Sequence, residues 1–213
     1  MRTNQEPESD LYAELQCASH FSFLRGASAC EELFAQAAAC GLKALAVTDR
    51  NSLAGIVRAH EAAKAVGVRL IVGCRVVLDD GAEVLVYPTD RAAYSRLCRL
   101  LSLGKARAGK GDCRLGWSDL ADQAEGQIAI LATDTASPQS RWQLERLGAI
   151  FGADAYCALT LRRRPRDPLR LHLLAALADE LGVKTVVTND VLFHHPDRRI
   201  LQDVLTCIRE GCT

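Results

Sequence analysis

The stretch ALAVTDRNSLAGIVRAHEAAK, Ala44 to Lys64, passes from strand to loop to helix. Ala44 to Val47 is a short apolar, partly β-branched run of the kind that forms a buried strand. Five polar residues follow, Thr48, Asp49, Arg50, Asn51 and Ser52, suited to a turn and a helix N-cap. A helical pattern then begins, with Leu53, Ile56 and Val57 on one face and Arg58, Glu61 and Lys64 off it. An acid and a base therefore stand at the carboxyl end of a buried strand, the edge where α/β folds carry their chemistry. Asp49 and Ser52 are equally the residue types that cap a helix, and both roles stay open on spacing alone.

Outward from that unit, strand-like and helical segments alternate. Leu11 to Cys17 reads as a first strand with a polar turn at Ser19 to Ser22, and Ser28 as the cap of a helix over about Ala29 to Cys40. Val68 to Val72 reads as a strand ending at Gly73-Cys74-Arg75, and Val76 to Leu78 with Val84 to Tyr87 as a hairpin around Asp79, Asp80 and Gly81. A helix follows Pro88-Thr89-Asp90, then a basic loop over Gly104 to Gly111 (GKARAGKG) and a short helix near Ser118 to Ala124. Strands are expected at Ile128 to Leu131, Ala155 to Leu161 and Lys184 to Thr188. Helices are expected at Ser137 to Leu147, Leu169 to Leu181 and, after Pro196, Asp197 to Glu210. This alternation predicts an α/β fold with mostly parallel strands, the ends at Asp49, Arg75 and Asp190 gathering on one rim.

The chain has 213 residues, enough for one domain with its own core, and 26 basic residues against 26 acidic ones. That balance gives no bulk attraction to nucleic acid or to a membrane surface, so any such contact must come from a local patch. Nine scattered cysteines never fall as CxxC, which predicts a reduced, cytoplasmic protein without a zinc ribbon. Cys98 and Cys207 fall at apolar helix positions and read as core. Met1 to Asp10 is polar and acidic, read as a flexible terminus rather than a signal peptide or anchor, and no run is long enough to span a bilayer. Residues 11–213 read as one domain, whose stop just after a helix at Gly211-Cys212-Thr213 suggests a piece of a longer protein.

Four phrases occur together: YAELQCASHFSFLRGAS (Tyr12 to Ser28), LAVTDRNSLAGIVRAH (Leu45 to His60), LIVGCRV (Leu70 to Val76) and TNDVLFHHPDRRILQDVLTCIREG (Thr188 to Gly211). With them the chain resembles the N-terminal PHP (polymerase and histidinol phosphatase) domain of bacterial C-family DNA polymerases, most of all the error-prone ImuC-type branch. The resemblance implies a distorted (β/α)7-like barrel whose rim, in active relatives, holds two or three metal ions that hydrolyse phosphoesters. Against that pattern the first ligand pair falls on Gln16 and Ala18, and the next motif keeps Asp49 but has Arg50 for its histidine. The glutamate position is Arg75, and the last motif keeps Asp190 but has Leu192. Arginine stays charged and repels a dication, so these residues read as a vestigial rim with neither metal nor catalytic residue. Arg50 and Arg75 are expected to neutralise Asp49 and Asp190 as ion pairs between strand ends.

His194, His195 and His20 are the remaining metal candidates; His60 and His172 read as surface or packing residues of helices. Lys105, Arg107 and Lys110, and the run Arg162, Arg163 and Arg164, are candidate contacts to DNA phosphates, with no aromatics interleaved for base stacking. By resemblance the domain is a non-catalytic scaffold of a translesion polymerase acting in damage-induced mutagenesis and repair. Its partners are then the thumb and palm in cis, and the sliding clamp, mutasome proteins and DNA through the full-length chain. The parent polymerase is expected to use magnesium, with no cofactor here and no membrane partner. The alternatives are a metal-dependent phosphoesterase or 3'-5' proofreading exonuclease, and a DNA-contacting module.

Overall fold

The computed structural model describes residues 12 to 212, so the terminus 1–10 and Leu11 lie outside the described residues. Six strands form one curled sheet in sequence order: β1 (Ala44–Arg50), β2 (Arg69–Val77), β3 (Glu83–Pro88), β4 (Gln127–Ala132), β5 (Ala155–Thr160) and β6 (Lys184–Thr188). β1 and β2 pair in parallel, as do β4 with β5 and β5 with β6, while β3 runs antiparallel to both of its neighbours. All strands but β3 therefore point the same way. Their carboxyl ends, and the first residue of β3, share one rim.

The expected first strand is not a ladder strand. Residues 14–18 instead span the gap between β1 and the segment after β6, through isolated bridges Glu14–Leu45 and Cys17–Val191. Thr48 N donates to the Cys17 carbonyl and Ala18 N to that of Val191, both at 2.9 Å or less. This strap closes the distorted barrel. The expected separate strands at 68–72 and 76–78 are one strand, β2, running straight into the hairpin.

Helices α1 (Cys30–Ala39), α2 (Ile56–Val66), α3 (Arg91–Arg107), α4 (Trp117–Asp122), α5 (Pro138–Phe151), α6 (Asp167–Glu180) and α7 (Arg199–Glu210) surround the sheet. One core lies between the sheet and α3 to α6, around Leu97, Leu100, Leu120, Leu144 and Leu147. A second joins α1 and α2 to β1 through Phe34, Leu33, Val47 and Ala59. Each fully buried leucine or phenylalanine contributes about 1.5–3 kcal/mol of transfer free energy. Inside the curl the side chains are smaller, Ala46, Leu85, Ile130 and Ala158, with Tyr87 reaching across to donate to the Leu15 carbonyl. Alternation along β1 explains the split, because Leu45 and Val47 face the helices and Ala46 and Thr48 face inward.

Several local expectations change. Val57 is 72% exposed, since α2 starts at Ile56 and turns Ala59, Ala62 and Ala63 to the core instead. Ser28 does not cap α1; the Glu32 carboxylate accepts the Ala29 N–H there, and Ser28 Oγ bonds His194. Residues 104–107 of the expected basic loop are the last turn of α3. All nine cysteines are free, but Cys98 and Cys207 are half-buried rather than core. Among the described residues no helix is long and apolar enough to cross a membrane.

Candidate functional site

β1 delivers Asp49 and Arg50 to the rim on opposite faces, because neighbouring strand residues point opposite ways. Asp49 is buried against the 19–22 turn, accepting from Ser19 N and Ser19 Oγ at 2.8 Å and Ser22 Oγ at 2.7 Å. Burial pushes its pKa up, and the serine hydrogen bonds pull against that rise. Arg50 turns the other way and pairs with Glu83 at 3.0 Å.

β2 places Arg75 directly beside Arg50 in the parallel register. Two adjacent guanidiniums repel. Glu83, at the start of the reversed strand, answers both, reaching Arg75 at 3.4 Å with its second oxygen. The other end of Arg75 donates to Asp190 Oδ1. Asp190 sits just past β6 with a left-handed φ of 51°, and its carboxylate is fully engaged. Gln16 Nε2 donates to Oδ1 at 3.0 Å and Arg162 Nη1 pairs with Oδ2 at 3.1 Å. Burial alone would raise the Asp190 pKa; Arg75 and then Arg162 outweigh it and hold it below the usual carboxylate range. Behind this pair Gln16 Oε1 accepts from Thr188 Oγ1 at 2.7 Å, and Thr188 bonds Thr160 at 2.7 Å. Ala18 and Leu192 supply apolar wall to a cavity of about 180 Å³ that Arg50, Arg75, Glu83 and Asp190 also line.

Residues 14–154 match the PHP domain family, two thirds of the chain. The chain belongs to the PHP domain family. It is 62% identical over 202 residues to error-prone DNA polymerase 1 of Agrobacterium fabrum, covering 95% of this chain and 18% of that protein. The corresponding figures are 60% for error-prone DNA polymerase 2 of Rhizobium meliloti and 47% for the error-prone DNA polymerase of Caulobacter vibrioides, with 95% of this chain and 19% of each relative covered. The chain thus spans under a fifth of the length of these relatives, in their N-terminal region. Among solved structures it resembles a candidate metal-dependent phosphoesterase from Bifidobacterium adolescentis, with TM-score 0.59, 17% identity and 88% and 89% of the two chains covered. An amidohydrolase from Chromobacterium violaceum aligns with TM-score 0.55, 19% identity and coverage of 85% and 87%. Those two likenesses are likenesses of fold.

The rim of this PHP domain does not fit a cluster of divalent ions. Its carboxylates are Asp190, held by two guanidiniums and an amide, Glu83, held by Arg50 and Arg75, and Asp49, turned away onto serine hydroxyls. Arg50 and Arg75 at two of the remaining positions repel a dication, and Ala18 and Leu192 offer no donor. The expected pairing of Arg50 and Arg75 with Asp49 and Asp190 is half corrected: Arg75 holds Asp190, while Arg50 takes Glu83 and Asp49 takes serines. Among the described residues no three His, Cys, Asp or Glu side chains gather as metal ligands. His194 bonds Ser28 at 2.8 Å and His195 lies 3.2 Å from Asp197, their rings 6.3 Å apart. His20 is exposed and stacks on Phe21, and His60 and His172 are exposed on their helices.

The basic candidates separate. Arg162 belongs to the rim, bonding Asp134 at 2.7 Å as well as Asp190, and Arg164 reaches Asp134 at 3.3 Å. Arg50, Glu83, Arg75, Asp190, Arg162 and Asp134 thereby alternate in sign around the rim, each touching the next. Arg107 is tied to Asp119 at 2.7 Å. Lys105, Lys110 and Arg163 are exposed and form no ion pair among the described residues. Sequence reasoning missed Glu83, Asp134, Ser19 and Ser22. The hairpin register could have found Glu83, which lies diagonal to Arg75 on one face.

Proposed function

We propose that this chain is the PHP domain of an error-prone DNA polymerase and serves there as a non-catalytic scaffold. The observation that carries the reading is Asp190: a carboxylate at the strand-end position of a metal ligand, occupied by Arg75 and Arg162. Ion pairs then join the strand ends that metal ions bridge in hydrolytic relatives. The alternating charges tie the ends of β1, β2 and β5 to the segments following β4 and β6, holding the rim shut without a reacting group.

In this reading the polymerase body supplies the thumb and palm in cis, and the carboxylates for magnesium lie in that body. The whole enzyme acts in the cytoplasm in translesion synthesis and repair, meeting the sliding clamp, mutasome proteins and DNA through its full length. Support comes from the error-prone polymerases that are 47–62% identical over 95% of this chain.

The test is elemental analysis after incubation with manganese and desalting, together with hydrolysis of bis(p-nitrophenyl) phosphate. The scaffold predicts neither retained metal nor hydrolysis. A stoichiometric complement of ions with manganese-dependent turnover overturns it in favour of a phosphoesterase.

A further inference from the structure

A cleft of about 720 Å³ adjoins the rim, with Arg25, Arg50 and Arg209 lining both it and the rim cavity. Its walls are the 21–25 loop, residues 50–52 and 77–79 at the ends of β1 and β2, the end of α3 with the loop after it, and Arg209 near the end of α7. Arg209 fixes this geometry by donating to the Leu24 carbonyl at 2.8 Å. Arg25, half-buried between Arg50 and Arg209, forms no ion pair or side-chain hydrogen bond among the described residues. Burial and then repulsion from Arg50 and Arg209 lower its pKa, so positive charge there is undercompensated. Lys105 and Lys110 face the same cleft, also unpaired, against Asp79 and Asp112. Phe23, an apolar ring 82% exposed, lines the same cleft as these cations.

Unpaired cations along a groove with an exposed aromatic ring are the two elements of single-strand recognition: phosphate contacts and a stacking platform. The sequence holds no aromatic within the basic loop, but the fold brings one from eighty residues earlier. We propose that this cleft binds single-stranded DNA, with Arg25, Lys105 and Lys110 on successive phosphates and a base stacked on Phe23. The proposal is independent of the scaffold reading, since none of Arg25, Lys105, Lys110 and Phe23 takes part in the rim's ion pairs.

The experiment is fluorescence anisotropy of a labelled oligothymidylate with the chain, over a salt series. Three phosphate contacts give a slope of log K against log salt of about −2. Lys105→Gln with Lys110→Gln, both exposed and so harmless to folding, should bring that slope to about −1. Phe23→Ala should weaken binding roughly tenfold at every salt concentration, with the slope unchanged. Arg163→Gln with Arg164→Gln, off the cleft, should change neither quantity. The proposal is overturned by absence of binding, by a slope insensitive to the lysine pair, or by a larger effect of the Arg163 and Arg164 changes. Equal competition by inorganic phosphate and by unlabelled strand would also overturn it, reducing the cleft to a simple anion site. Tighter binding of oligouridylate than of oligothymidylate would move the ligand from DNA to RNA.

Discussion

Asp190 shows how one residue can keep a position and change its chemistry. Its carboxylate is nine-tenths buried and held by two arginines and an amide, so the charge is compensated by protein groups alone. Asp190→Asn leaves Arg75 with only Glu83. It should cost about 3 kcal/mol in urea unfolding at neutral pH, the low end for breaking a buried pair. Because the folded-state pKa is depressed, this stability is present above the unfolded carboxylate value of about 3.9 and lost as pH falls through the folded one. The difference between wild type and Asp190→Asn should therefore be full at neutral pH and close below about pH 4. A difference that persists undiminished in acid would mean that ionised Asp190 contributes nothing. Asp49 acts in the opposite sense, since its raised pKa makes the ionised form the costly one as pH rises.

At the scale of elements, the inside of the curl leaves little room. A Cβ at Gly73 would lie 2.8 Å from the Tyr87 ring and 2.9 Å from Thr48 Cγ2. Gly73→Ala must push Tyr87 away from the Leu15 carbonyl, loosening the strap that closes the barrel. A loss of about 1–3 kcal/mol is expected, read from the urea midpoint. Helix α7 is the contrasting case. Ile200 and Ile208 are 76% and 60% exposed, and Gln202 is the buried position. Ile200→Lys and Ile208→Lys should each leave the unfolding free energy within about 0.5 kcal/mol of wild type. A larger loss in either would show that this face packs inward.

For the whole molecule, a ligand that binds only the folded state raises its stability, by about 2.7 kcal/mol at a hundredfold excess over Kd. Manganese should leave the thermal midpoint unmoved, because the rim offers it no free carboxylate. Manganese is the better probe, since zinc would also find the exposed thiols Cys40 and Cys212. A rise in midpoint with manganese that Asp190→Asn abolishes would restore a metal site at the rim.

Most of the architecture was legible in the chain because its signals are local. Apolar runs such as Ala44 to Val47, turn residues such as Asp79-Asp80-Gly81 and helix stops such as Gly67 each act over a few residues. The direction of the strands followed from their alternation with helices, and with it the gathering of Asp49, Arg75 and Asp190 on one rim. Loss of ligand types was equally readable, since Arg50, Arg75 and Leu192 are visible without coordinates. Tertiary structure alone decided the pairing. Which carboxylate meets which guanidinium depends on register, on the reversal of β3 that brings Glu83 to the rim, and on strand faces that send Asp49 to the serines. It also decided that Arg162 closes the rim rather than facing solvent, and that Phe23 lines one cleft with Lys105 and Lys110. Coulombic and stacking contacts act through space over a few ångströms, and only the closed barrel brings residues so distant in sequence within that reach.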